Sequence, residues 1–219
     1  NKILSDYFNY ISVCPEVAIG MGVPRKTVRL IGSRETPEMI EPASGVNWTS
    51  KMLVYSNKKT SKLSELCGFL FKQGSPSCGL FRTKIYQKNG QCISNGRGLF
   101  ADTFCKKWPL VPVEEEGRLK DAKLREHFVE RVFAYHRLKN LISKDFKRSA
   151  WVTFHERSKM LLLAHSPQHY KILGLLVANM ASYSPSEFKN SYALSYMQAL
   201  SVKVSLKKHS DTLYRLLGF

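Results

Sequence analysis

Two cysteines stand where a ligating or reacting sulfur would be placed. Cys14 falls in "YISVCPEV" and Cys78 in "GSPSCGLF", each directly after a strand-like apolar run and each beside a proline-containing turn. In parallel α/β sheets the loops beyond the carboxyl ends of strands collect ligands, so two thiolates at neighbouring strand ends would make half of a metal site. Thiolates select zinc or an iron–sulfur cluster. Zinc usually shows paired Cys-x-x-Cys spacing, which is absent here, and isolated cysteines converging from distant loops suit a cluster better. The competing reading is a pair of ordinary core cysteines. The other thiols read structurally: Cys67 as core, Cys105 as a helix residue and Cys92 as part of a strand–turn edge. An odd total of 5 cysteines argues against a disulfide framework and for a reducing cytoplasm.

The elements that would position these sulfurs alternate between two periods. Strand-like runs at 10–14, 28–31, 67–71, 80–87 and 110–119 are interrupted by helical spacing over 47–66, where Thr49 is a plausible cap, and over 96–109, which Pro109 ends. This alternation predicts an α/β domain, a mostly parallel sheet flanked by helices in the Rossmann-like manner. After Gly117 the pattern becomes helical throughout. Leu124, Phe128, Val132, Tyr135, Leu138 and Ile142 share one face, and Ser166-Pro167 and Ser184-Pro185 read as cap-plus-first-turn pairs. An all-α second domain is therefore expected. The boundary is placed in "SKDFKRS", dividing the chain into 1–145 and 146–219.

Composition narrows the partners. The 219 residues carry a net charge of +17, and residues 146–219 hold 10 Lys or Arg against 3 Asp or Glu. A phosphate backbone is the usual partner of such a surface. The candidate contacts are Lys147 and Arg148 in the linker, then His155, Arg157 and Lys159, then His165 and His169 around the Ser166-Pro167 helix start, and finally Lys207, Lys208 and His209. His165 and His169 are four apart, a spacing that can chelate a metal on a helix, but Pro167 between them favours a helix start and an anion or packing role. No apolar run approaches the roughly 18 residues of a membrane span. The "EEEG" run at 114–117 reads as a helix-start cap, and "GRG" at 96–98 lacks the spacing of a dinucleotide fingerprint. No P-loop, HExxH or Ser-His-Asp order is found. The chain opens on Asn and closes on "YRLLGF" inside a helical pattern, so both natural ends are expected to lie beyond it.

Several separated motifs carry a family resemblance. "VCPEVAIGMGVPRKTVRLIG", "GSPSCG", "GRGLFA" and "PVEEEGRL", in this order over about residues 1–140, resemble the 2-thiouracil desulfidase family. "WVTFHERSKMLLLAHSPQHYKILGLLVA" resembles the YbgA-like helical domain often fused behind it, and such fusions look like thiouridine desulfidases acting on tRNA. The resemblance implies an oxygen-independent desulfuration at a 4Fe–4S cluster that three cysteines hold, with one iron left open for the thiocarbonyl sulfur. By motif it implies Cys14 and Cys78 as cluster ligands, with the third ligand expected upstream of residue 1. It implies Glu16 as general acid/base on water or the base ring, and Ser75 as a residue that hydrogen-bonds substrate or passes a proton. The expected reaction converts thiouridine in tRNA, 4-thiouridine in the first place, to uridine with release of sulfide. The alternatives are a desulfidase of free 2-thiouracil-type bases and a non-catalytic RNA-binding protein.

Overall fold

The computed structural model describes residues 4–87, 90–205, 207 and 210–212. Among them the chain divides into two compact units. The first takes in the described residues of 4–66, 70–109 and 114–117; the second takes in those of 67–69, 110–113 and 118–212.

The first unit is mixed α/β, in keeping with the expected class. Its strands are β1 (Arg29–Gly32), β2 (Pro37–Ile40), β4 (Thr83–Tyr86) and β5 (Cys92–Gly96), in the order β2-β1-β4-β5. A further pair joins β3 (Phe69–Phe71) to β6 (Val113–Glu115). The four-stranded sheet combines one parallel pair, β1 with β4, and two antiparallel pairs, β1 with β2 and β4 with β5. The antiparallel pairs come from short hairpins, which need no helical crossover. One hairpin arises at 33–36, inside the turn-rich stretch where the sequence alone suggested no strand.

Two helices complete the unit's core. α2 (Thr49–Thr60) and α3 (Leu99–Lys107) meet through Tyr55 and Phe100, and the Trp108 indole N–H reaches the Thr60 carbonyl at 2.9 Å. Leu30, Met39, Met52, Ile85, Phe100 and Phe104 are fully buried. The start of α2 differs from expectation. Asn47 Oδ1 accepts the Thr49 N–H at 2.9 Å, while Thr49 Oγ1 turns to accept the Met39 N–H at 2.8 Å. Asn47, one residue before the N-cap Trp48, takes the first N–H of the helix, and the threonine ties the helix to β2.

The predicted strand at 10–14 does not form. These residues have no regular structure, with Tyr10 and Ile11 more than half exposed, and Cys14 instead precedes the single-turn helix α1 (Pro15–Ala18), with Pro15 at its first position. Proline suits that position because its missing N–H would have no helical partner there.

The second unit is all-helical: α4 (Ala122–Ile142), α5 (Arg148–Arg157), α6 (Lys159–His165), α7 (Pro167–Ala178) and α8 (Pro185–Ser201). The predicted caps appear. Ser166 accepts the His169 N–H, and Ser184 with Glu187 closes a capping box. The division at 145 is corrected by packing. Ala134 and Leu138 of α4 are buried in the same core as Trp151, Leu162, Leu173, Phe188, Tyr192 and Tyr196, so α4 belongs with the helices that follow it. A long amphipathic helix is stable mainly through the face it buries, and that partner lies downstream. None of the described helices is long and apolar enough to cross a membrane.

Leu138→Ala is expected to destabilise the helical unit by about 2–5 kcal/mol, measured by urea denaturation followed by far-UV circular dichroism. A change below about 0.5 kcal/mol would place α4 outside this core.

Candidate active site

The site grows from the loop between β3 and β4. Gly74 takes a positive φ of +70°, turning the chain out of the strand. The Ser75 hydroxyl then accepts the backbone N–H groups of Ser77 and Cys78 at 3.3 and 3.2 Å, and the Gly79 N–H returns to the Ser75 carbonyl at 2.7 Å. The small, hydroxylated Ser-Pro-Ser frame is thus a backbone cradle that presents the Cys78 sulfur.

Two outside elements fix that cradle. α3 begins against it: the Gly98 N–H binds the Gly79 carbonyl at 2.7 Å, Leu99 N–H binds the Pro76 carbonyl at 3.1 Å, and Phe100 N–H binds the Ser77 carbonyl at 2.9 Å. A Cβ on Gly98 would run into the Ser77 carbonyl group and the Cys78 nitrogen, so only glycine allows this approach. The "GRG" motif is therefore neither a phosphate loop nor an ornament; it is the seat of the cysteine loop. The acidic run supplies the second brace. Glu115, 1% exposed, accepts the Leu80 and Phe81 N–H groups at 2.8 and 3.0 Å, and Glu116 accepts the Gln73 N–H at 2.8 Å. These carboxylates hold both ends of the loop and do not cap a helix. Asp121 caps α4.

Cys14 and Glu16 come from the start of α1, and Arg25 returns to them on the loop that Gly20 and Gly22 turn at φ +90° and +70°. The Glu16 carboxylate gathers the site. Its Oε1 accepts the Ser75 hydroxyl at 2.9 Å and the Ser77 hydroxyl at 2.7 Å, and its Oε2 pairs with Arg25 Nη1 at 2.6 Å. The same Nη1 lies 3.9 Å from Cys14 Sγ, and Ser77 Oγ lies 3.5 Å from Cys78 Sγ. One chain of contacts therefore runs from one thiol to the other through Arg25, Glu16 and Ser77. Ser77 has a single hydroxyl proton, so it can serve the carboxylate or the Cys78 sulfur, one at a time.

The two sulfurs differ in setting. Cys14 is exposed and Cys78 buried. Burial pushes the Cys78 thiol up to about 12; the Ser77 hydroxyl and Arg25 act against this, and Glu16 and Cys14 add to it. Both thiols also bear on Tyr55, whose hydroxyl is raised first by burial and then by the negative charge each sulfur would carry. Cys14, Cys78, Glu16 and Ser75 are thus brought together. Arg25, Ser77 and Tyr55 were missed as site members. Arg25 and Ser77 lie inside the quoted motifs; Tyr55 carries no signal beyond its place on a helix face. Among the described residues no cluster of three or more His, Cys, Asp or Glu is arranged for a metal ion.

The basic candidates of the helical unit separate into two groups. Lys147, Arg148, Arg157, Lys159 and Lys207 are exposed. The histidines go elsewhere. His165 is wholly buried, with Nδ1 2.6 Å from the Val202 carbonyl and Nε2 2.8 Å from Glu130 Oε2. His155 is buried, stacked on Tyr170 and 3.1 Å from the Tyr192 hydroxyl, and burial lowers it below the ordinary imidazole range. Both are corrected from phosphate contacts to core residues, since neither presents a cation to solvent. His169 is half-buried and engaged with Ser166 Oγ at 2.8 Å. Lys208 and His209 lie outside the described residues.

A mixed α/β unit with two loop-borne sulfurs around one carboxylate, followed by a basic helical unit, is the class of protein that fold and site define. Residues 1–116 match the family described as 2-thiouracil desulfurase, and the chain belongs to that family. Residues 159–219 match a domain family of unknown function, DUF1722. The Escherichia coli K12 protein described as uncharacterized protein YbgA is 30% identical over 90 residues, covering 41% of this chain and 53% of that protein, so the chain spans about half the length of this relative. A solved structure described as the 4Fe–4S-dependent thiouracil desulfidase TudS aligns with a TM-score of 0.43 at 24% identity, over 54% of this chain and 75% of that one.

Two outcomes test the geometry. In metal-free protein at pH 8, iodoacetamide is expected to label Cys14 well before Cys78, and Cys78 labelling is expected to rise as pH climbs toward 12, because only the thiolate reacts. Peptide mass mapping reads both, and equal rates at pH 8 would contradict the burial of Cys78. Gly98→Ala is expected to cost about 1–3 kcal/mol by overpacking and to bring Cys78 labelling forward. An unchanged denaturation midpoint would refute the close backbone approach.

Proposed function

We propose that this protein removes sulfur from a thiolated uracil ring carried in tRNA, 4-thiouridine in the first place, returning uridine and sulfide with the help of an iron–sulfur cluster. The observation that carries the reading is the meeting of Cys14 and Cys78 around Glu16, in a chain of the 2-thiouracil desulfurase family.

The donor set fits such a group in kind. Two sulfur donors converge from distant loops, and burial holds Cys78 as a neutral thiol, a bias that a soft cation on the sulfur removes. Cys14 and Cys78 would supply two of the ligands, and a third thiolate would complete them. When bound, the cluster supplies a soft Lewis acid for the thiocarbonyl sulfur.

The protein's own residues do the rest. The net change is C=S plus water to C=O plus hydrogen sulfide, with no electron gained or lost. Glu16 is the general acid/base of the exchange, acting on the water or on the base ring. Arg25 and two hydroxyls hold its two oxygens in place. The Ser77 hydroxyl spans the gap from this carboxylate to the Cys78 sulfur, and so ties the position of Glu16 to the sulfur-bearing loop. Ser75 orients Glu16 and the cradle together. The exposed Lys147, Arg148, Arg157, Lys159 and Lys207 support a tRNA backbone as partner, in a segment with 10 basic and 3 acidic residues. The five free cysteines suit a reducing cytoplasm. A second reading, action on free 2-thiouracil, is favoured by the family's own description.

Anaerobic incubation with tRNA containing 4-thiouridine, and separately with 2-thiouracil, distinguishes them. Sulfide release and loss of the thionucleoside from tRNA are expected, with tRNA affinity falling steeply as salt rises. Release from the free base alone would favour the second reading, and salt-sensitive tRNA binding with no sulfide from either would leave a non-catalytic RNA-binding protein. Cys78→Ala is expected to abolish turnover while leaving the fold intact by circular dichroism; retained turnover would remove Cys78 from the ligand set.

A further inference from the structure

We propose that Arg25, acting with Glu16, is the specificity-determining residue of the site: together they read the cyclic-amide edge of a uracil ring, Arg25 donating to the ring carbonyl and Glu16 accepting the ring N–H beside it. This deepens the desulfidase reading and rests on it.

The argument is a count of what remains open at the Glu16–Arg25 pair. Glu16 Oε1 accepts two hydroxyls, from Ser75 at 2.9 Å and Ser77 at 2.7 Å, which fills its two lone-pair directions. Oε2 accepts only Arg25 Nη1, at 2.6 Å, and keeps one acceptor direction. On the arginine, both contacts use Nη1, one to Glu16 and one to Cys14 Sγ at 3.9 Å. Its Nη2 and Nε donors have no partner among the described residues. The Arg25 side chain is 29% exposed and that of Glu16 14% exposed. The ion pair is thus partly shielded, yet reachable.

What is left open is one acceptor beside a planar fork of donors. That pattern complements an N–H next to a carbonyl. A thiolated uracil carries this edge next to its thiocarbonyl: in both 2-thiouracil and 4-thiouridine the N3–H lies between the C=S and the remaining C=O. Docking the edge on Glu16 and Arg25 leaves the thiocarbonyl beside the N3–H, on the side away from the carbonyl. Arg25 Nη1 already touches the Cys14 sulfur, so the reader of the ring and the sulfur-bearing loop are tied to one another. A ring with an amine in place of the carbonyl, such as 2-thiocytosine, has neither the carbonyl nor the N3–H, and the site's charged groups then stay unpaired. Sites built on hydrogen bonds reject such analogues strongly.

The test uses the purified full chain and oxygen analogues, so that binding is read without turnover. Wild-type protein is expected to bind uracil more tightly than 3-methyluracil and cytosine by isothermal titration. Arg25→Met is expected to weaken uracil binding about tenfold to a hundredfold, as for a lost hydrogen bond to a charged donor, and to erase the preference over cytosine. Arg25→Lys, which keeps the charge beside Glu16 without the fork, is expected to fall between. Millimolar guanidinium ion is expected to restore part of the uracil affinity to Arg25→Met, which a purely structural role would not allow. Uracil affinity unchanged in Arg25→Met, or uracil and cytosine weakened alike, would overturn the assignment. Sulfide release from 2-thiouracil and from tRNA containing 4-thiouridine is scored on the same preparations. Arg25-dependent uracil binding without sulfide release from wild type would sink the desulfidase reading alone; sulfide release with a KM that Arg25→Met does not move would sink this inference alone.

Discussion

The site depends on one close approach of backbone to backbone. The first turn of α3 is laid directly on the Cys78 loop, and its N–H groups end on the carbonyls of Pro76, Ser77 and Gly79. Those carbonyls sit in a tight turn and have no sheet partner of their own, so the helix start satisfies them while its own leading N–H groups, which no helix satisfies internally, are satisfied in return. The exchange works only where no side chain intervenes, which fixes glycine at 98. Everything that makes Cys78 useful follows. Its sulfur is buried where the helix start meets the loop, both ends of that loop are held by carboxylates, and its neighbour Ser77 places a hydroxyl against Glu16.

Burial and charge then divide the labour between the two sulfurs. A thiol raised to about 12 is a poor nucleophile and a poor free ligand at neutral pH, so Cys78 is not a reactive cysteine in the ordinary sense. In the proposed function a soft cation placed on it would supply its chemistry. Cys14 is exposed and lies near a guanidinium, a setting that opens one side of the site to a ligand. A buried sulfur opposite an accessible one suits the proposed function, in which one side of the site stays open to a guest atom. The Glu16 carboxylate lies on the path between them, which explains why a charge so close to two potential thiolates is stabilised by three donors.

Much of this was legible in the sequence, for a specific reason. The cysteine loop, the carboxylate two residues after Cys14 and the switch from mixed to helical periodicity are local patterns, and local patterns determine turns, caps and faces. The caps at Ser166 and Ser184 are of this kind. What escaped is relational. The strand expected before Cys14 fails because its residues meet no partner strand, a fact that hydrophobic spacing cannot report. The hairpin through β2 needs the pairing of Leu30 with Met39 to be recognised. The acidic run looked like a helix cap because carboxylates favour helix starts, but Glu115 reaches back 35 residues to the Leu80 N–H. Arg25 lies 11 residues from Cys14, and only the two glycine turns reveal that it returns. The boundary at 145 failed for the same reason: α4 is amphipathic by pattern, but which unit takes its face is decided by Trp151 and its neighbours.

The helical unit shows why its histidines went inside while its lysines stayed out. A histidine within a basic stretch resembles a phosphate contact by composition alone, yet its ring is flat, half apolar and able to bond at two points, which are the properties a polar-laced core requires. Tyr192 and Tyr196 place hydroxyls in that core, where each needs a partner. Tyr192 finds His155 and Tyr196 lies near Ser158, while His165 joins the Val202 carbonyl to Glu130. The imidazoles are consumed by the interior's own hydrogen bonds. A lysine or arginine cannot be used this way, since burying its fixed charge costs more than one neutral partner returns. The residues that burial rejects are left outside, and Lys147, Arg148, Arg157 and Lys159 stand at the surface because the same core that drew in the histidines had no place for them.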